Sequence, residues 1–315
     1  MKYGFGADVG GTTVKIAYFD QMGTLLDKWD IPTVKDNGGS KILPDIAASI
    51  RAYLDKNHIP NEDIIGIGLG VPGAINAQGV VNRCVNLGWD GKMDVQTPLA
   101  ELTGFPVKAG NDANVAALGE CWMGGGKGCE NMVMATLGTG VGGGIIIDGK
   151  TLYGVHGAGG EIGHTIFNPA ETEQCGCGKY GCAEQYCSAT GIARIARRML
   201  TADAAPSCLR ALQTITAKDI FDAAKNGDAM ALAITEQYYD CLGQFLANVC
   251  SIIDPEVVVL GGGVSKAGSV LLAGAKKYFD KYVFHACLDT RFELAALGND
   301  AGAYGAFKLI LDASN

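Results

Sequence analysis

The chain has 315 residues, 48% of them hydrophobic and 18% charged, a size for two domains and a composition that excludes a disordered polymer. A formal charge of −8 and a pI near 5.0 exclude nucleic acid as the main partner, because phosphate backbones are met by clustered Lys and Arg. No run of about 18 apolar residues offers a membrane span, and the stretch from Met1 to Asp8 lacks the apolar core of a signal peptide, so a cytoplasmic protein without a membrane partner is expected.

Residues Tyr3 to Ala7 and Val14 to Phe19 read as strands joined by the loop Asp8-Val9-Gly10-Gly11-Thr12-Thr13, and a Gly23-Thr24 turn leads to a third strand over Leu25 to Asp30. Ile42, Ile46, Ile50 and Leu54 recur every four residues, which predicts a helix over Ile42 to Asn57. Ile64 to Val71 is an apolar strand closed by Pro72-Gly73. A short strand, Val107 to Gly110, precedes Asn111-Asp112-Ala113-Asn114 and an apolar helix over Val115 to Trp122. Met132 to Leu137 and Gly143 to Ile147 are strands around Gly138-Thr139-Gly140, with a hairpin turn at Asp148-Gly149. Two strand–glycine-turn–strand units about 130 residues apart suggest a duplicated fold, although glycine hairpins also recur by chance. A long helix is expected over Gly227 to Ile253, ended by Pro255, then a buried strand over Val257 to Leu260 and the run Gly261-Gly262-Gly263. Helices over Lys266 to Phe279 and from about Asn299 to Leu311 complete an α/β chain, the last packing back on the N-terminal domain.

Glycine accounts for 46 residues, twice the usual share of ~7%, and it gathers at strand ends rather than in low-complexity tracts. Such placement lets backbone amides approach a ligand. The loop at Asp8 offers amides and hydroxyls to an anion and a carboxylate to Mg²⁺, but it lacks the P-loop spacing and alone reads equally well as an empty turn. Gly138-Thr139-Gly140 and Gly261-Gly262-Gly263 are the second and third such loops; three after strands raise a nucleotide site. At Asn111-Asp112 one residue is explained as a helix N-cap, which leaves the other available as a base toward a hydroxyl.

Cys175, Cys177 and Cys182 lie among glycines, and His164 precedes Cys175 by 11 residues in Glu161-Ile162-Gly163-His164. Closely spaced thiols with one imidazole are the ligand types of a closed, structural zinc site, and the segment has little apolar material to bury cysteines in a core. Cys187 competes with His164 for the fourth position. Glu161 and Glu184 flank the set and suit sugar hydroxyls, although surface acids beside a satisfied histidine are the plainer reading. Cys84, Cys121, Cys208 and Cys250, among 11 cysteines in all, read as core residues.

Taken in order, Asp8-Val9-Gly10-Gly11-Thr12, Gly70-Val71-Pro72-Gly73, Gly110-Asn111-Asp112-Ala113-Asn114, Leu137-Gly138-Thr139-Gly140, Glu161-Ile162-Gly163-His164, the cysteine cluster through Glu184, and Gly261-Gly262-Gly263 resemble the ROK family of repressors, open reading frames and sugar kinases over essentially the whole chain. Within it the chain looks like the bacterial ATP-dependent glucokinases. The resemblance implies an actin-like ATPase fold with two ribonuclease-H-like domains flanking a cleft. One domain is expected to comprise residues 1–110 plus about 300–315, the other residues 111–299. It implies Asp112 as general base toward the sugar 6-hydroxyl, with Gly73, Asn111, Glu161, His164 and Glu184 also holding the sugar. Asp8, Gly10, Gly11, Thr12, Thr13, Lys15, Gly138 and Thr139 would serve Mg²⁺ and the phosphates of ATP, and Gly262 and Gly263 the adenosine. His164, Cys175, Cys177 and Cys182 would bind structural Zn²⁺, and a homodimer or homotetramer is expected.

A sugar-responsive repressor of the same family would carry an N-terminal winged helix-turn-helix ahead of the phosphate loop, and with that loop at residue 8 a repressor is not expected. A non-catalytic sugar sensor would be expected to lose Asp112. Kinases for N-acetylglucosamine, N-acetylmannosamine, fructose or allose remain as alternatives, and Val85-Asn86-Leu87-Gly88-Trp89, which looks like the glucokinase branch, favours glucose.

Overall fold

The computed structural model describes residues 1–76 and 78–314. It divides into two compact units: residues 1–130, 144–160 and 296–315 form the first, and 131–143 with 161–295 the second. The first unit runs on past residue 110 for a packing reason. Helix Asp112–Met123 lies directly on the C-terminal helix Ala301–Ala313, where a Cβ on Gly305 would sit 1.5 Å from the Val115 carbonyl oxygen and one on Gly119 would sit 2.3 Å from that of Ala301. Only glycine permits two helix backbones to come so close.

The sheet of the first unit has the order Leu25–Pro32, Thr13–Asp20, Tyr3–Val9, Ile64–Val71, Val107–Asn111. Its first three strands are an antiparallel meander and its last three run parallel. Helix Ile42–Asn57 buries Ile42, Ile46, Ile50 and Leu54, the four-residue stripe of the sequence, in a core with Phe5, Ile16, Ile67 and Leu69. A second cluster joins Phe19 to Phe307 and Ile310 of the C-terminal helix, with the two phenyl rings stacked 5.0 Å apart.

The other sheet repeats the plan, in the order Lys150–Thr151, Val141–Ile147, Met132–Leu137, Val257–Gly261, Arg291–Leu294. Two glycine-turn hairpins thus lead into two parallel sets, as a duplicated fold requires. The chain passes from the second unit to the first within Val141–Ile147. Within the second unit, Val257–Gly261 is buried throughout and runs parallel to Met132–Leu137 and Arg291–Leu294. Helix Ala229–Ile253 starts two residues later than its sequence pattern, because Asp228 caps it by accepting the Ala231 N–H at 2.9 Å. The helix expected from Lys266 is split: a 3₁₀ segment Gly263–Ala267 ends at Gly268, whose φ of +74° breaks the run, and an α-helix follows over Ser269–Tyr282. Cys84, Cys121 and Cys250 are buried, but Cys208 is exposed, at the head of a 3₁₀ turn whose N–H is taken by Asp228. No helix among the described residues is long and apolar enough to cross a membrane.

Candidate functional site

In the first unit the parallel strands deliver their loops at one edge, since Asp8 pairs with Gly70, Gly70 with Gly110, and Val71 with Asn111. Ligands of α/β sheets sit at these carboxyl ends. The loop after Asp8 closes with Gly10 N–H to the Thr13 carbonyl at 3.0 Å and is steadied by Thr33, whose hydroxyl donates to the Gly10 carbonyl at 2.7 Å. The N–H groups of Gly11 and Thr12 donate to no protein acceptor among the described residues, which suits a phosphate loop. Thr12 and Thr13 are exposed.

Asp8 is pushed up to about 6, mainly by burial; Lys15, its cross-strand partner, pulls it down and the Asp112 carboxylate pushes it further up. Gly302 of the C-terminal helix completes the burial, because a Cβ there would lie 2.7 Å from the Asp8 carboxyl carbon. That contact escaped the sequence reading, though the small residues of Ala301-Gly302-Ala303 at a helix start were the available signal. Lys15 itself donates to the Asn299 carbonyl at 3.1 Å.

Asn111 is the N-cap of helix Asp112–Met123: its side-chain oxygen accepts from the Ala113 and Asn114 amides at 3.0 and 3.2 Å. Its amide nitrogen donates to the Gly73 carbonyl at 3.1 Å, tying the helix start to the Pro72-Gly73 turn, where Gly73 has φ +98°. Asp112 is the first helical residue, half-buried, with one oxygen 2.9 Å from the Ala113 N–H. The first unit therefore brings together Asp8, Gly10, Gly11, Thr12, Thr13, Lys15, Gly73, Asn111 and Asp112.

In the second unit the Gly138-Thr139-Gly140 turn closes with Gly138 N–H to the Gly140 carbonyl at 3.0 Å, leaving Thr139 exposed. Gly261 pairs with Thr136, and Gly262, at φ +81°, presses on the chain at Leu137, where a Cβ would meet the backbone at 2.6 Å. The second and third glycine loops are thus neighbours, and Gly263 beside them is exposed.

Glu184 is clamped against the same turn: one oxygen accepts the Val141 N–H at 3.0 Å and the other lies 3.4 Å from the Cys175 sulfur. His164 ends a 3₁₀ turn begun at the exposed Glu161, and its Nδ1 lies 3.9 Å from the Cys175 sulfur. The Cys177 and Cys182 sulfurs are 3.5 Å apart, and the ligand atoms of His164, Cys175, Cys177 and Cys182 all lie within 4.8 Å of one another. A tetrahedral zinc with Zn–S bonds of 2.3 Å requires sulfurs about 3.8 Å apart, so the cluster fits the ion. Cys187 lies outside it, fully buried, its carbonyl accepting the Tyr238 hydroxyl at 2.7 Å.

Comparison with known proteins adds an independent finding. The model of the ROK family matches residues 4–313. A glucokinase of Halalkalibacterium halodurans is 44% identical over 98% of this chain and 95% of its own length. A glucokinase of Thermotoga maritima is 34% identical over 97% of this chain and 96% of its own. The crystal structure of a ROK family glucokinase from Streptomyces griseus, in complex with glucose and AMPPNP, superposes with a TM-score of 0.74 at 31% identity and covers 98% of both chains.

Proposed function

The chain belongs to the ROK family and has its actin-like ATPase fold, and from that premise we propose that it is a glucokinase, transferring the γ-phosphoryl group of ATP to the 6-hydroxyl of glucose. The observation that carries the mechanism is the placement of Asp112. It opens a helix capped by Asn111 and tied to Gly73, at the same strand ends as the Asp8 loop. A helix N-terminus favours the carboxylate form, so Asp112 enters the reaction able to accept a proton. It takes the 6-hydroxyl proton as that oxygen bonds to the γ-phosphorus, and the bond to the β–γ bridging oxygen breaks to leave ADP.

On the first unit Gly11 and Thr12 meet phosphate oxygens with their N–H groups, assisted by Gly10, Thr13 and Lys15; on the second unit Gly138 and Thr139 are assigned to phosphate as well. Asp8 holds Mg²⁺, which when bound offsets the charge of the phosphates; a carboxyl raised by burial and by a second carboxylate is relieved by such a cation. Gly262 and Gly263 offer bare backbone to adenosine. On the second unit Glu161, His164 and Glu184 are assigned to sugar hydroxyls, and on the first unit Asn111 and Gly73 are.

Zinc on His164, Cys175, Cys177 and Cys182 is structural, since all four positions are protein ligands. Because Nδ1 lies on the side of the Cys175 sulfur, it would be the nitrogen to hold zinc, and the other ring nitrogen of His164 would be left to meet a hydroxyl. The enzyme acts in the cytoplasm, where ATP and Mg²⁺ are supplied, as a homodimer or homotetramer.

The deciding experiment is an ADP-release assay with MgATP and, in turn, glucose, fructose, allose, N-acetylglucosamine and N-acetylmannosamine. Glucose should give the highest kcat/KM. An N-acetylhexosamine ranked first would replace the substrate, and release with none of them would remove the kinase.

A further inference from the structure

Lys35 follows the strand Leu25–Pro32, in a segment whose backbone lies against the chain at Leu87 and Gly88. Its carbonyl accepts the Gly39 N–H at 3.0 Å. Gly39 lies so close to the chain at Leu87 that a Cβ would come within 2.3 Å of the Leu87 carbonyl oxygen, and one on Gly88 would stand 3.2 Å from that of Lys35. The origin of the Lys35 side chain is therefore fixed by the Val85–Trp89 stretch.

From there the side chain reaches over the Asp8–Thr13 loop, and its ammonium nitrogen lies 3.8 Å from where a Cβ on Gly11 would be. Gly11 is one of the two residues whose N–H groups point to no protein acceptor. Lys15, on the strand that follows the loop, faces Asp8 and also donates to the Asn299 carbonyl. Lys35 is exposed and makes no hydrogen bond or ion pair through its ammonium among the described residues.

A phosphoryl group passing between two donors of negative charge, in a site that already contains Asp8 and Asp112, needs cationic charge where the phosphates lie. Lysine supplies it as a compact point charge with three rotatable donors, able to follow oxygens that move during transfer. We propose that Lys35 is a further catalytic residue, its ammonium contacting the phosphate oxygens of ATP over Gly11. The proposal rests on the reading of the Asp8–Thr13 loop as the phosphate loop.

The test uses the full-length protein with Lys35→Met and Lys35→Arg. Wild type and variants are compared for turnover of glucose with MgATP, and by calorimetry for AMPPNP, adenosine and glucose binding. Lys35→Met should lower kcat/KM for ATP by about 100-fold and weaken AMPPNP binding. Adenosine and glucose, which carry no phosphate, should bind as in wild type, and Lys35→Arg should recover the greater part of the loss. Unchanged AMPPNP affinity and turnover in Lys35→Met would overturn the proposal, as would an equal loss for adenosine and AMPPNP. A wild-type protein that fails to phosphorylate glucose, yet binds AMPPNP in a Lys35-dependent way, would remove the glucokinase reading and leave the phosphate contact standing.

Discussion

Glu120 accepts the backbone N–H of Leu297 at 2.8 Å with one carboxylate oxygen, while its other oxygen takes Ala296 at 2.9 Å and Gly125 at 2.8 Å. The side chain is fully buried in helix Asp112–Met123, and no basic group pairs with it among the described residues. Three amides, two of them where the chain re-enters the first unit at Ala296, take the place of a cation. Removing the carboxylate leaves those amides without their acceptor, at about 1–3 kcal/mol for each one that stays shielded from water. Glu120→Ala should therefore lose about 3 kcal/mol or more in urea unfolding, and Glu120→Gln, which keeps one acceptor oxygen, clearly less. Equal losses for the two variants would show that volume, not hydrogen bonding, is what the site requires.

Asp8 offers a test in pH. Its folded value of about 6 stands above the ordinary 3.8, so between these values the folded chain keeps a proton that the unfolded chain has released. The group stabilises fully below about pH 4, and that contribution is lost as pH rises through about 6. Near pH 7.5 and without Mg²⁺, Asp8→Asn should raise the unfolding free energy by on the order of 2 kcal/mol, an advantage absent at pH 4. The same variant should lose the added stability that MgATP gives wild type. An Asp8→Asn protein less stable than wild type at pH 7.5 would refute the strained carboxyl.

Much of this arrangement was written locally. Ile42, Ile46, Ile50 and Leu54 marked their helix to the residue, and Gly or Pro closed the strands Ile64–Val71 and Met132–Leu137 where the sequence placed their ends. Helix Ala217–Lys225 went unread although Thr216 and Asp219 form a capping box in plain sequence. Helix Ala189–Ala202, capped by Ser188, was missed although Ile192, Ile195, Ala196 and Met199 recur at helical spacing on one side and its arginines fall on the other. The edge strand Arg291–Leu294 has no apolar run; it is a strand only because Val257–Leu260 pairs with it. At the site, residue types were legible and juxtapositions were not. Gly262 could be named as a glycine loop, but its contact with Leu137 depends on strands 120 residues apart in sequence lying side by side. The ligand set was half legible: spacing gave the three cysteines, and only the fold separates His164 from Cys187.

Metal analysis tests that separation. Protein purified without chelator should carry one zinc per chain. His164→Ala, which leaves three thiols, should lower zinc affinity by at least about 10-fold and raise KM for glucose, because Glu184 rests against both Cys175 and the Gly140 turn. Cys187→Ala should keep its zinc. Full occupancy in His164→Ala together with loss in Cys187→Ala would reverse the assignment.

Asp112 is where the proposed chemistry is most exposed to test. Asparagine at this position keeps the shape, the first-turn location and an oxygen for the Ala113 N–H, but it cannot take a proton. Asp112→Asn should therefore bind glucose within about threefold of wild type while kcat falls by about 1,000-fold, in the range of a lost general base. Asn111→Ala separates base from scaffold: it removes the helix cap and the Gly73 tie together, costing about 1 kcal/mol of stability, and should raise KM for glucose as well as lowering kcat. If Asp112→Asn turns over near the wild-type rate, Asp112 is not the base, and Asn111 and Gly73 then position the sugar for another acceptor.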